Sequence, residues 1–330
     1  MKRFVCKVIV FMVFCAGFMI IPSVWIDPYN VLHWEEIRNN GVEPNKNYIK
    51  MKYILNNPDK YDSYLFGSSR VGSIHVEKIM NERCYNMTYS CGTPKEHLEN
   101  LKTLIEHEIY PEKIYMGVDS LSYTENPNDH LNHGLQSPYE YLKNKENFLK
   151  LYLNPSFVLK ALPTIMRRQE IEGFENFYEY GWWCDYNRKT TIDWDSNPGP
   201  SMGRDYLLEE TLENIKDIVV ICEKYQIELI LFTNPMHHIT QAASIEQDYL
   251  VFLERLAHIK SYYNFSGYNM ITLDNQYYID TSHYNAYVGD LMIDVMCNNI
   301  VEEELYVDGF GMLVNKDNVN LLLELLKSKQ

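Results

Sequence analysis

Hydrophobic and polar positions divide the chain into contrasting stretches. From Val8 to Ile26, nineteen residues run without a charge, behind Lys2, Arg3 and Lys7. A bilayer core takes about 20 mostly apolar residues in a helix, so residues 1–26 read as one N-terminal transmembrane helix with its cytoplasmic tip. The basic flank places the N-terminus in the cytoplasm and everything after Ile26 outside. A cleaved signal peptide is the rival reading, but Pro22, Ser23, Val24 and Trp25 suit an interfacial exit better than a small-x-small cleavage site. Residues 27–60 are polar and Asn-rich, as in a juxtamembrane stalk.

Beyond the stalk, short apolar runs alternate with longer amphipathic ones. Tyr64–Phe66, Tyr85–Tyr89, Lys113–Val118, Glu228–Thr233 and Met270–Leu273 have strand character. Helical periodicity follows Pro94 up to Glu108, spans Tyr206–Tyr225, and returns from Tyr284 to about Asn299. Strands alternating with helices predict βαβ units and an α/β fold with a parallel sheet, whose strand C-termini share one edge where sites form. The interval 120–204 breaks the rhythm with Pro127, Pro138, Pro155, Pro163, Pro198, Pro200 and a dense aromatic group that includes Trp182 and Trp183, and reads as an insertion. A main domain over 61–304 and a helical tail over 305–330, with its apolar patch at Leu321–Leu326, complete the expected organisation.

Charge narrows the function classes. Thirty Lys+Arg against 45 Asp+Glu give a formal −15. So acidic a chain lacks the basic footprint that sequence-independent nucleic-acid binding requires. The first 26 residues carry +3, which leaves −18 for the remainder. Outside the apolar segment stand Cys84, Cys91, Cys184, Cys222 and Cys297. Five is odd, and no C-x-x-C is present, which excludes a fully paired scaffold; a Cys84–Cys91 bridge is open, buried thiols being the plainer reading. Asp129, His130 and His133 have helix-compatible metal spacing, but Pro127 and neighbouring Asn residues suit a solvated loop, and no metal or other cofactor is expected.

Two short motifs carry the candidate chemistry. Gly67-Ser68-Ser69-Arg70 follows the first strand, where a tight turn exposes a serine and a helix start offers N–H donors. Asp280-Thr281-Ser282-His283 follows the fifth strand; a carboxylate three residues before a histidine can orient the imidazole toward a nucleophile. Each motif alone reads equally as an ordinary cap or turn. A parallel sheet would bring both to the same edge.

Together these blocks resemble the SGNH/GDSL hydrolase superfamily, which implies a flavodoxin-like three-layer sheet with Ser69 as nucleophile and Asp280 and His283 as its partners. In Ser90-Cys91-Gly92-Thr93, Gly92 matches the family's oxyanion glycine, so the resemblance implies an oxyanion hole from the N–H groups of Ser69 and Gly92. The third block departs: Gly117-Val118-Asp119 stands where the family has Gly-x-Asn. A carboxylate at Asp119 cannot donate to an oxyanion, and Asn234 in Thr233-Asn234-Pro235 is a candidate substitute. The N-terminal anchor and Gly-Ser-Ser are similar to envelope-polymer acylation proteins of the alginate O-acetylation and teichoic-acid D-alanylation types, which work beside a polytopic membrane O-acyltransferase.

The expectation is therefore a single-pass extracytoplasmic serine acyltransferase or esterase acting on O-acyl, notably acetyl, groups of a cell-surface polysaccharide. A catalytically silent glycan-binding or scaffold subunit is the alternative. Arg70, Trp182, Trp183 and His237 are the candidate substrate contacts, each with a plain structural reading beside it. Acidity makes a neutral glycan, or local help from Arg70, Arg167 and Arg168, more probable than a generic anionic substrate.

Overall fold

The structure, a computed structural model, describes the chain except residues 1, 134, 153, 168–175, 182–189, 191, 299, 301–305, 307, 329 and 330. Side chains at 15, 16, 18, 19, 22, 23, 132, 133, 155 and 157 also lie outside the description. The chain divides into two compact units, Met1–Asn56 with Asn128–Ile171, and Asn57–Pro127 with Glu172–Gln330.

In the first unit, residues 2–26 form one helix, α1 (Lys2–Ile26). Among the described residues no helix is long and apolar enough to cross a membrane, so the transmembrane reading of this segment is not supported there. The expected stalk is folded. Asp27 is buried, and its carboxylate accepts the N–H groups of Val31, Leu32 and His33 at 3.1, 2.8 and 2.9 Å. Helix α2 (Lys46–Leu55) starts at Asn45, whose side chain accepts from the Tyr48 N–H, as an N-cap should. Gln136 explains why residues 128–171 join this unit. Its buried amide accepts from the Lys46 N–H at 2.9 Å and donates to the Pro44 carbonyl at 3.1 Å. Thus only part of the 120–204 interval is set apart from the sheet, and Pro127–His133 is helical rather than a loop.

The second unit is an α/β fold around a six-stranded sheet. Its strands are β1 (Ser63–Phe66), β2 (Cys84–Asn86), β3 (Lys113–Val118), β4 (Glu228–Thr233), β5 (Tyr262–Asn264) and β6 (Met312–Val314). The order is β2-β1-β3-β4-β5-β6, parallel up to β5, with β6 antiparallel to β5. β1 is buried along its whole length, as a strand covered on both faces must be. On one face Leu65, Tyr115 and Phe232 pack with Val288, Met292 and Val295 of α7 (Ala286–Asn298, numbered after the helices below). On the other, the Phe66 ring stacks at 4.8 Å on His97 of α3 (Pro94–Glu106), which packs beside α4 (Leu208–Tyr225). α4 buries Leu208, Leu212, Ile215, Val219 and Cys222, a period of 3.6. Helices α5 (His238–Glu246) and α6 (Tyr249–Ile259) follow β4, and α8 (Val319–Ser328) closes the chain against α6.

Two strand expectations miss for the same reason. The run 270–273 is a turn, because Asn269 Oδ1 accepts the N–H groups of Ile271 and Thr272 at 3.1 and 3.0 Å. β2 stops at Asn86, whose Oδ1 takes the Thr88 N–H at 2.9 Å. No disulfide joins Cys84 to Cys91. No group of three metal-ligating side chains gathers among the described residues.

Gly117 lies near the C-terminal end of β3, and a Cβ there would lie 2.5 Å from Val71 Cγ2 and 2.9 Å from the Phe232 ring. Gly117→Ala should therefore destabilise the second unit by about 1–3 kcal/mol, the range for overpacking, read as a lower midpoint in urea.

Candidate active site

The Ser69 turn begins where β1 ends. Gly67 takes φ +150°, and a Cβ there would meet Val71 Cγ2 at 2.6 Å, so only glycine allows the chain to double back this tightly. Ser68 caps the turn by accepting the Arg70 N–H on its Oγ at 3.3 Å. The Val71 N–H bonds the Ser68 carbonyl and the Gly72 N–H that of Ser69. Among the described residues the Ser69 N–H itself has no acceptor.

His283 arrives on a second tight loop. The Ile279 N–H bonds the His283 carbonyl at 2.8 Å, and the Asn285 N–H bonds that of Tyr277 at 2.8 Å, closing the loop around Asp280. Ser69 Oγ lies 2.9 Å from His283 Nε2, and His283 Nδ1 lies 2.9 and 3.0 Å from the two Asp280 oxygens. Asp280 Oδ1 also accepts the N–H groups of Ser282 and His283 at 2.7 and 2.8 Å. Burial pushes the Asp280 carboxyl up. The His283 bond and charge and these two N–H groups outweigh that and hold it at about 2. An ionised carboxylate, an imidazole and a hydroxyl thus stand in one hydrogen-bonded line.

The remaining expected residues are placed differently. Gly92 packs against the Ser69 turn, and a Cβ there would come within 2.7 Å of the Gly67 carbonyl oxygen. Its N–H, however, donates to the Tyr89 carbonyl at 3.2 Å, so the expected oxyanion donor is already engaged in a turn. Asp119 and Asn234 bond each other, Asn234 Nδ2 donating to Asp119 Oδ2 at 2.7 Å. Asp119 Oδ1 accepts from Arg70 Nη1 at 2.8 Å and from the Leu121 N–H at 2.7 Å. The Asp119 carboxylate has no N–H to donate, and it takes one of the two Asn234 Nδ2 hydrogens.

Arg70 is not a surface contact either; its side chain is fully buried. Nε donates to Ser282 Oγ at 2.8 Å, Nη1 to Asp119, and Nη2 to the Ser201 carbonyl at 2.6 Å. His237 is buried too. Its Nε2–H donates to Asn275 Oδ1 at 2.8 Å, its ring stacks on Trp194 at 4.8 Å, and burial lowers its pKa. Trp182 and Trp183 lie outside the described residues. Half-exposed Trp194, which sequence reasoning did not single out, is the described aromatic on that side. The Arg70–Asp119 pair was also missed, although an acid at the end of a buried strand demands a partner for its charge.

Comparison of the chain with family models finds no match, and comparison with curated proteins finds none.

Removing one member of a buried ion pair leaves the other uncompensated, so Arg70→Met should cost about 3–5 kcal/mol. Arg70→Met with Asp119→Leu should recover most of it; a double-variant loss equal to the sum of the two single-variant losses, by urea denaturation, would show no coupling. Asp280 supplies an acid-side test. A depressed carboxyl pKa contributes stability that is fully present above about pH 4 and lost as pH falls through about 2. Asp280→Asn should remove about 2 kcal/mol of that pH-dependent stability between pH 5 and 2, seen as a flatter profile than that of the unchanged protein.

Proposed function

We propose that the protein is a serine acyl-transfer enzyme of the SGNH type, with a flavodoxin-like sheet, that moves or removes O-acyl groups on a cell-surface polysaccharide. The observation that carries the reading is the Ser69–His283–Asp280 hydrogen-bonded line at the C-terminal edge of a parallel sheet. His283 Nε2 takes the Ser69 proton as Oγ attacks an ester carbonyl, and Asp280 holds the tautomer with Nδ1–H toward itself. The protonated His283 then gives its proton to the departing alcohol, leaving an acyl-Ser69 ester. A sugar hydroxyl or water, deprotonated by His283, takes the acyl group and restores Ser69.

The Ser69 N–H, without an acceptor among the described residues, is the first oxyanion donor in this reading. The silent-scaffold alternative takes Asp119 as a loss of oxyanion machinery, since a carboxylate cannot donate to an oxyanion and would repel it. Its pairing with Arg70 and Asn234 offsets the repelling charge. An outward-facing placement beside a polytopic membrane acyltransferase belongs to the same proposal. It is supported by the uncharged run behind Lys2, Arg3 and Lys7 and by the exposed apolar side chains of α1.

The test uses the full-length chain in detergent. A serine-directed fluorophosphonate should label the protein, and p-nitrophenyl acetate should be turned over. Ser69→Ala should abolish labelling, His283→Ala should lower turnover by more than about 10⁴-fold, and Asp280→Asn by on the order of 10⁴-fold. Unchanged turnover in Ser69→Ala sinks the triad assignment; no labelling and no turnover favours the scaffold.

A further inference from the structure

α1 contacts the helix Pro155–Arg167 within the first unit. On that helix Ala161, Ile165, Val158, Leu162, Met166 and Leu159 share one arc of about 160°. Val158 and Ala161 are buried, but the arc continues into the open, where Leu159 is 63% and Met166 78% exposed. Lys160 and Arg167 border this open side, and the helix carries no acid. α1 repeats the pattern: it holds Lys2, Arg3 and Lys7, no acid, and exposed Phe11, Phe14 and Ile21. At its C-terminal end, Ile20, Ile21, Val24, Trp25, Leu32 and His33 line an apolar groove of about 490 Å³. Two neighbouring helices thus carry basic and apolar residues and no acid, in a chain that holds 45 acids.

Large exposed apolar surface bordered by basic side chains fits lipid, whose acyl boundary takes the apolar arc and whose anionic headgroups take the cations. We propose that α1 and the helix Pro155–Arg167 form one lipid-facing surface, with the second helix lying at the headgroup level of an anionic bilayer and Leu159 and Met166 dipping into the acyl boundary. The proposal rests on the membrane placement proposed above, not on the acyl chemistry. It gives the first unit a second hold on the membrane besides α1. Lys160 and Arg167 then select anionic lipid at a point more than a hundred residues along the chain from α1.

The test places an environment-sensitive fluorescent amino acid at position 11, 159 or 166, or at exposed Tyr206 of the second unit as control. Each full-length protein is reconstituted into vesicles of phosphatidylcholine with or without phosphatidylglycerol. Acyl-chain bromolipid should quench positions 11, 159 and 166 but not 206. Lys160→Glu and Arg167→Glu should each weaken quenching at 159 and 166 on the order of five-fold in phosphatidylglycerol vesicles, and leave position 11 unchanged. Quenching at 11 without 159 and 166 overturns the two-helix surface and leaves α1's placement standing. Protection of 159 and 166 from both bromolipid and a water-soluble quencher marks a protein occupant and overturns it as well. Fluorophosphonate labelling of the same samples reports Ser69 separately, so loss of one property is distinguishable from loss of the other.

Discussion

The buried ion pair between Arg70 and Asp119 is the constraint around which the second unit is arranged. A guanidinium with no water must place its donors on the protein, and Arg70 does so across four separated segments. It belongs to the turn after β1, and it reaches Asp119 at the end of β3, the Ser201 carbonyl, and Ser282 on the His283 loop. Ser69 precedes Arg70 and His283 follows Ser282, so the acceptors that satisfy the arginine also bring the serine and the imidazole to 2.9 Å. The cost of breaking the pair is what makes the line a fixed feature of the fold, not a passing contact.

The same pair explains the departure at Asp119. An asparagine at a strand end near a nucleophile can point an N–H toward a developing charge. An aspartate there needs a cation, and once Arg70 supplies it the carboxylate turns inward and takes Asn234 with it. Under the proposed acyl transfer, the Ser69 N–H, which has no acceptor among the described residues, can donate to an oxyanion, while the Gly92 N–H would have to exchange the Tyr89 carbonyl, at 3.2 Å, for one. A 3.2 Å bond in a turn is at the long end of the N–H···O range, so that exchange asks for little movement.

Legibility in the sequence followed the reach of the forces involved. β1, β3 and β4 were readable within a residue because buried parallel strands must be continuous apolar runs. The Ser69 and Asp280-x-x-His283 blocks were readable because turn and loop chemistry is local. Met270–Leu273 misled because apolar content was visible but the capture of two N–H groups by Asn269 was not. β5 and β6 have three residues each, too short to show a period. Burial of Arg70 and His237 depends on partners 49 to 212 residues distant for Arg70 and 38 for His237, which no local pattern encodes. The polar segment 27–60 looked like a stalk for the same reason: Gln136, about 90 residues away, satisfies its backbone.

Charge distribution extends the argument to the substrate. A formal −15 suggested that local cations would be needed beside any anionic substrate. Of the three arginines that could serve, Arg70 has its charge cancelled internally, Arg167 lies on a helix of the first unit, and Arg168 is outside the described residues. Arg70, which adjoins Ser69, is thus neutralised by Asp119 and does not offset the field of the acidic sum at the Ser69 edge. Under the proposed acyl transfer, such a field favours a neutral acceptor hydroxyl and disfavours a uniformly anionic polymer.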